Sequence, residues 1–493
     1  GGYGKSIYIQ HPGGYTSVYG HLSAYNENID SYVKKYQYKN KTHALDIYPA
    51  VNELPVEEGS LIGWSGNTGS SAGPHLHFEI RETASQYPLN VLKFGYDITD
   101  NVAPRISSFY IYTFEGEGKR RTIASRKKTG LTLKGNTYHP NSGDTLFTSM
   151  PVSFGLEVYD FMNGTSNRYG IYNIKMYVNQ ELTYHFQADK FSFAETRYIN
   201  AHLDYALRKL SGEKVQLLFR KPNNRLSMYK ILQNEGIILP KLNEPLEINI
   251  QIGDYSGNVR NVKFFLKKDV GNSRLASQKN KTGSFFAWDV QNSYENHLIK
   301  VMIPAGSLYE DTQFNYIRTE RENQYHPWYH NVHSNEVPLH LPVKLSICLD
   351  GIPDDLLPKT CITGYDEKGD PVFEGGSIKN DKWITVETRN FGRFGIEIDT
   401  LSPQIIPVNF RKNEDISGIS ELHFIIRDNL SNISSYKAFI DNKWALVEYD
   451  PKNDLLTYTF DQQRIEKGKK HEIEIYVEDG RGNQAVFHSG FIW

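Results

Sequence analysis

One short passage of this 493-residue chain occurs twice, and that repetition constrains the fold more than any single residue does. The text FGYDITDNVAPRI, with Asp97, Pro104 and Ile106, returns as FGIEIDTLSPQI, with Asp399, Pro403 and Ile405. Each is a strand, an Asp-rich turn and a proline, the punctuation that opens a new unit. A second echo accompanies it. Asp254-Tyr-Ser-Gly257-Asn258 and Asp479-Gly-Arg-Gly482-Asn483 each close an alternating strand with a D-x-x-G-N turn. Two hinges and two closing turns predict related immunoglobulin-like β-sandwiches at 100–268 and 399–493.

The text between and before them reads the same way. With 33 Tyr and 25 Phe among strands punctuated by 39 Gly and 21 Pro, the composition is that of a β-rich chain and excludes a helical bundle. A Ser/Asn/Lys-rich linker, GNSRLASQKNKTGS, precedes strands such as HLIKVMIPAGSLY and DKWITVETRN, so 269–398 is predicted to be a further sandwich. Leu203, Ala206, Leu207 and Leu210 fall at helical spacing before Gly212, which predicts one short helix inside the first sandwich. Residues 1–95 read as strands and Gly-rich turns, opening on the hairpin GKSIYIQHPGGYTSVYGHLS with no linker ahead of it. The expectation is an all-β chain of four units whose first begins inside a structural element.

Charge and cysteine usage narrow the function classes. Fifty-five Lys+Arg against 57 Asp+Glu leave a net charge of −2, which supplies no global field for nucleic acid or an anionic membrane. No apolar run approaches the roughly eighteen residues of a spanning helix. The two cysteines, Cys348 and Cys361, are too few for a disulfide scaffold or a Cys-based zinc module. Their spacing suits facing strands of a hairpin, which leaves them either bonded or free.

The segment SGNTGSSAGPHLHFEIR, residues 65–81, concentrates the chemistry. In a strand, positions i and i+2 share a face, so His75 and His77 are predicted to point into one cleft and Leu76 and Phe78 away from it. Gly66, Gly69, Gly73 and Pro74 shape a turn beside the pair. His21, in VYGHLS, ends the facing hairpin strand. Three histidines at one groove suit zinc binding, general-base catalysis and oxyanion stabilisation.

The stretches GYGKSIYIQHPGGYTSVYGHLS and PVEEGSLIGWSGNTGSSAGPHLHFEIR resemble the lysostaphin-type zinc endopeptidases, metallopeptidase family 23, over roughly residues 1–95. The resemblance implies that His77 is a zinc ligand and that His75 and His21 flank the metal-bound water and the scissile carbonyl. It implies zinc as cofactor, peptidoglycan cross-links as substrate, and an extracytoplasmic site of action in the periplasm, outer membrane or cell surface. The family's remaining ligands, an H-x-x-x-D motif, precede its Gly-Tyr-Gly strand and are expected ahead of Gly1. With His77 as the single family ligand, residues 1–493 are expected to hold zinc weakly or not at all. The sandwiches resemble accessory regions of such proteins in Bacteroidota-type envelopes. A rival reading follows from their bulk: a catalytically degenerate, peptidase-shaped scaffold or binding subunit of an envelope protein complex.

Other features carry less. His43 and Asp46 in HALDIYP stand three apart and, in a strand, face opposite ways, so they are not read as ligands. His11 in QHPGGY is read as a turn residue. GWSGNTGSS lacks the lysine of a phosphate loop, and no helix pattern follows it. The histidines His326, His330, His333 and His340 are read as packing within a sandwich loop. Lys119, Arg120, Arg121, Arg126, Lys127 and Lys128 are read as a solvated loop, with contact to an anionic polymer as the alternative.

Overall fold

The computed structural model describes residues 2–242, 244–269, 283–323, 325–379 and 382–493. The architecture is all-β, as the turn-punctuated text predicts. Of the anticipated linker, residues 271–282 lie outside the described residues.

The first unit is built on an antiparallel sheet of β1 (Lys5–Gln10), β2 (Tyr15–Leu22), β5 (His77–Glu82) and β6 (Pro88–Leu89), in that spatial order. The β1–β2 turn closes when His11 N donates to Tyr15 O at 2.8 Å, and Gly14 takes a φ of +80° that other residues resist. As a central strand, β2 is the most buried, with Val18 and Leu22 inside. A two-stranded ladder of β3 (Ala24–Tyr25) and β4 (Gly63–Trp64) carries the chain from β2 to the Gly-rich loop.

Between β3 and β4 the structure departs from the expected strands and turns. Residues Glu27–Asn40 form a helix, α1. Asn26 caps it by accepting from Ile29 N at 2.9 Å, Glu27 and Asp30 complement the dipole of the first turn, and Asp30 pairs with Lys34 at 2.8 Å. Its Tyr and Val content favours strands, which is why the pattern misleads. Contacts from far along the chain hold it: Tyr38 meets the Trp444 ring edge-on at 5.4 Å, and the Arg464 guanidinium lies 4.0 Å from the Tyr38 ring. The following HALDIYP segment is not a strand either.

Three sandwiches follow, each with its own apolar interior. The first packs a sheet containing Leu246–Gly253 and Val259–Lys268 on one containing Arg105–Glu115 and Val152–Tyr159, around Phe109, Phe154, Ile250 and Phe264. The predicted helix spans Tyr205–Ser211 and ends at Gly212 with φ +76°. Leu203 lies before it in extended backbone. The second pairs two five-stranded sheets around Val301, Ile347 and Phe394, and the last a four- and a five-stranded sheet around Phe424, Ile475 and Phe491.

Two expectations are corrected here. Cys348 and Cys361 are both buried and free, and they lie in different sheets: Cys348 pairs with Trp383 and Cys361 with Glu397. They are therefore not on facing strands of one hairpin, because the intervening turn carries the chain from one sheet to the other. The basic stretch is a strand rather than a loop, although Arg126, Lys127 and Lys128 are exposed as anticipated. Thr122–Thr129 is a strand, and Arg120 pairs with Asp289 and Asp311, Arg126 with Asp204, and Lys128 with Glu213. His326, His330 and His333 are packed among aromatic rings as anticipated, although His330 belongs to the strand Trp328–Val332. Burial pushes His330 down to about 3.

Because these interiors are built from residues beyond Arg105, residues 100–493 expressed alone should retain a β-sheet circular dichroism spectrum and unfold cooperatively. Loss of that signal would show that the first unit shares their cores.

Candidate functional site

The groove histidines reach one place by three different local devices. In β2, Gly20 and His21 stand opposite the single residue Ser6 of β1, a β-bulge between the pairs Lys5–Leu22 and Ile7–Tyr19. Such a bulge re-aims one side chain. His21 takes a φ of 60°, rare for a residue with a Cβ, and its backbone N donates to Tyr3 O at 2.8 Å. His75 is held by an antiparallel bridge with Gly66, its backbone N donating to Gly66 O at 2.9 Å, whereas His77 is the first residue of β5. The two therefore do not share one strand, although they share one cleft with His21. A ring nitrogen from each of the three lies within 4.8 Å of the others.

Hydrogen bonds decide which nitrogen each ring presents. His21 Nδ1 meets Thr68 O at 2.8 Å and His75 Nδ1 meets Gly73 O at 2.8 Å. A carbonyl only accepts, so both Nδ1 atoms carry the proton, and in the neutral ring Nε2 keeps the lone pair. His77 is the reverse: its Nε2 donates to Glu79 Oε1 at 2.5 Å, which leaves Nδ1 as the free nitrogen. A carboxylate behind an imidazole is the arrangement that orients a metal-ligating histidine. Of the three imidazoles, His77 is the best prepared to hold zinc.

Glu79 is a site residue that the sequence reading passed over. It follows His77 at i+2 on the same strand face, a signal of the same kind as H-x-H itself. Tyr3 Oη donates to its Oε1 at 2.6 Å, and Arg81 Nε to its Oε2 at 2.7 Å. Arg81, 6 % exposed, also donates to Tyr3 Oη at 3.0 Å and lies over the rings of Tyr3, Tyr8 and Phe193. Burial works to raise the Glu79 carboxyl, but the hydrogen bonds from Arg81, Tyr3 and His77 outweigh it and hold the group below its ordinary range. Burial and Glu79 together push the Tyr3 phenol well up, so it stays a donor.

The loop wall was also only partly legible. Gly66 is packed against Ser23, where a Cβ would lie 2.5 Å from the Ser23 backbone nitrogen. Thr68 and Ser71 complete the wall: Thr68 Oγ1 accepts from Lys5 N at 2.9 Å and donates to Leu22 O at 2.8 Å, and Ser71 Oγ donates to Gly73 O at 2.7 Å. His11 stays in its turn, 2.8 Å from Ser17 Oγ, and His43 lies toward Glu448 at 3.8 Å; neither joins the cluster.

From the last sandwich, Lys452 Nζ donates to the carbonyls of Asn67 and Ser71 on this wall. Lys5 pairs with Glu448 at 2.7 Å beside it.

Comparison with known proteins finds likeness over a short part of the chain. The chain is 35 % identical over 81 residues to the DD-carboxypeptidase/endopeptidase Mpg of Neisseria meningitidis serogroup B, covering 16 % of this chain and 13 % of that protein. It is 32 % identical over 90 residues to lysostaphin of Staphylococcus simulans, covering 17 % and 14 %. The chain thus matches only a small part of either relative's length. A family model described as a Zu5-like domain matches residues 283–399. Among solved structures, immunoglobulin domains 1–4 of Sidekick-1 align with 80 % of this chain and 99 % of that one at 7 % identity, with a TM-score of 0.16.

Glu79→Ala should destabilise the protein by about 3 kcal/mol in urea unfolding, because it strands the Arg81 guanidinium in a buried site. The sign of the pH dependence follows from the lowered carboxyl. The stability Glu79 contributes is complete above the ordinary glutamate value of 4.5 and is lost as pH falls below it toward the folded-state value. Glu79→Gln should remove that part of the acid sensitivity.

Proposed function

We propose that this chain is the peptidase-bearing part of a zinc-dependent cell-envelope endopeptidase that hydrolyses the peptide cross-links of peptidoglycan. The observation that carries the reading is the convergence of His21, His75 and His77, each with one nitrogen committed to a protein acceptor and the other free. The likeness of part of this chain to a DD-carboxypeptidase/endopeptidase and to lysostaphin supports the reaction class. Among the described residues no helix is long and apolar enough to cross a membrane, and the site of action proposed is extracytoplasmic.

In this reading His77 would hold zinc through Nδ1, together with the His and Asp of the family's H-x-x-x-D motif. When bound, the metal lowers the pKa of a coordinated water and polarises the peptide carbonyl. The chain's own part is proton traffic and orientation. Nε2 of His21 or His75 would take the proton from the attacking water and pass it to the leaving amine, while the other ring could donate to the developing oxyanion only as an imidazolium, with a second proton on Nε2. His21 is buried and locked by its bulge, and His75 stands exposed at the rim, so the two differ in access to substrate. Glu79, through His77, is a positioning residue.

A second reading rests on Lys452. Its contacts to the loop wall tie the last sandwich to the groove's edge, as suits a peptidase-shaped scaffold that docks into an envelope protein complex.

Zinc content after dialysis and turnover of cross-linked peptidoglycan peptides separate the two. In a protein that carries the H-x-x-x-D segment, His77→Ala should lose both metal and activity. His21→Ala and His75→Ala should keep most of the metal and lose turnover by about 10²–10⁴-fold. Zinc lost from His75→Ala but kept by His77→Ala reverses the assignment, and an inactive parent protein leaves the scaffold.

A further inference from the structure

The hinge and closing-turn repeats that mark the two related sandwiches supply four aspartates, and a strand end adds one more to each pair to make two clusters. Asp100, Asp160 and Asp254 meet at the entry to the first sandwich, and Asp399, Asp428 and Asp479 at the entry to the last, with a carboxylate oxygen from each member within 4.8 Å of the others. We propose that each cluster is a calcium site, so that the chain binds two calcium ions, one at each point where a sandwich is entered from the unit before it.

Clustered acids alone would not carry this. The decisive group is Asp160, 5 % exposed, whose Oδ1 is buried and has no hydrogen-bond partner among the described residues. A buried carboxylate oxygen beside two further carboxylates is costly unless something positive meets it. No Lys, Arg or His forms an ion pair with any of the six among the described residues, and the surroundings of Asp160 hold the charges of Asp254 and Asp100 instead.

The second cluster repeats the first contact by contact. Asn258 Nδ2 donates to Asp254 Oδ2 at 2.7 Å and to Asp100 O at 3.1 Å; Asn483 Nδ2 donates to Asp479 Oδ2 at 2.7 Å and to Asp399 O at 3.0 Å. Asp100 Oδ1 accepts from Val102 N at 3.0 Å, and Asp399 Oδ1 from Leu401 N at 3.3 Å. The buried orphan recurs as well. Asp428 Oδ1 has no partner, nor has the Oγ of Ser431, a residue 2 % exposed whose backbone N bonds to both Asp428 Oδ2 and Asp399 Oδ2.

Ligand type selects the ion. The donors are oxygens only, with no His or Cys in either cluster, which favours a hard cation over zinc. Two calcium–oxygen bonds of about 2.3–2.6 Å reach roughly 5 Å across the ion, enough for oxygens up to 4.8 Å apart. Magnesium's bonds of about 2.0–2.1 Å and near-ideal octahedron demand a tighter set. The three ligands of each site come from a hinge, a strand end and a closing turn. Calcium would therefore fasten the incoming chain to the sandwich it enters.

The test uses the full chain, stripped of metal with a chelator and titrated calorimetrically with calcium chloride and, separately, magnesium chloride. Two calcium ions per chain are expected, one in Asp160→Asn, one in Asp428→Asn and none in the double variant, with calcium raising the Tm of the parent but not of the double variant. Asn keeps the shape of Asp and removes a repelled charge, so the metal-free variants should melt no lower than the parent. Should Asp160→Asn fail to fold, Asp100→Asn, at a half-buried position, gives the same stoichiometric readout. Absence of calcium binding, a stoichiometry unchanged by these substitutions, or magnesium binding as tight as calcium would each overturn the proposal.

Discussion

The groove exists because Thr68 bonds to both strands of the first hairpin at once. Its hydroxyl joins the backbone of Lys5 to that of Leu22, and its carbonyl holds the His21 ring. The Gly-rich loop is thereby pinned against β1 and β2, and Gly4 and Gly69, both at positive φ, meet backbone to backbone where a side chain would not fit. His75 then hangs from the same loop, and His77 begins the strand that leaves it. Remove the loop's anchorage and the three imidazoles have no common frame, since none of them is fixed by an apolar core. The fully buried apolar residues of the first unit among those described are few: Val18, Leu22 and Ile80. Polar contacts carry the geometry there, and the half-buried Glu79–Arg81–Tyr3 network is the firmest of them.

A unit with so little apolar interior gains from a neighbour. The last sandwich supplies Trp444 and Arg464 to α1, Glu448 to Lys5 and His43, and Lys452 to the loop wall. Glu448 sits low, about 2: burial alone would raise it, but His43 and Lys5 hold its charge in place. The chain folds back so that its final unit touches its first, and the groove's rim and the helix above it are set by residues some four hundred positions away in sequence. That contact gives the accessory region a direct mechanical hold on the site.

The fold class, the hinges, the closing turns and the histidine constellation were legible in the sequence because each depends on local rules: alternation, turn chemistry, and residue types at short spacing. The convergence of His21 on His75 and His77 followed from reading two facing strands. Glu79 was within reach of the same i+2 argument. By contrast, α1 has strand-prone residues and one cap as its signal, and its packing partner lies in another domain. The free cysteines, the paired basic strand and the bulge at His21 likewise rest on which sheet a segment joins, a property of long-range pairing.

The sequence by itself determined that this is a β-sandwich chain carrying an H-x-H groove, since period-two alternation and Gly/Pro/Asp turns leave little else for it to form. The tertiary structure decided the tautomer of His21, whose Nδ1 meets the carbonyl of Thr68 on another segment, whereas His75 and His77 answer to Gly73 and Glu79 two residues away. It also decided that the aspartates of the repeated hinges and turns meet as threes. The text shows Asp100 and Asp254, or Asp399 and Asp479, as separate turn residues. Only the closing of each sandwich brings Asp160 and Asp428 in from strand ends, and the burial that follows leaves their carboxylate oxygens without partners.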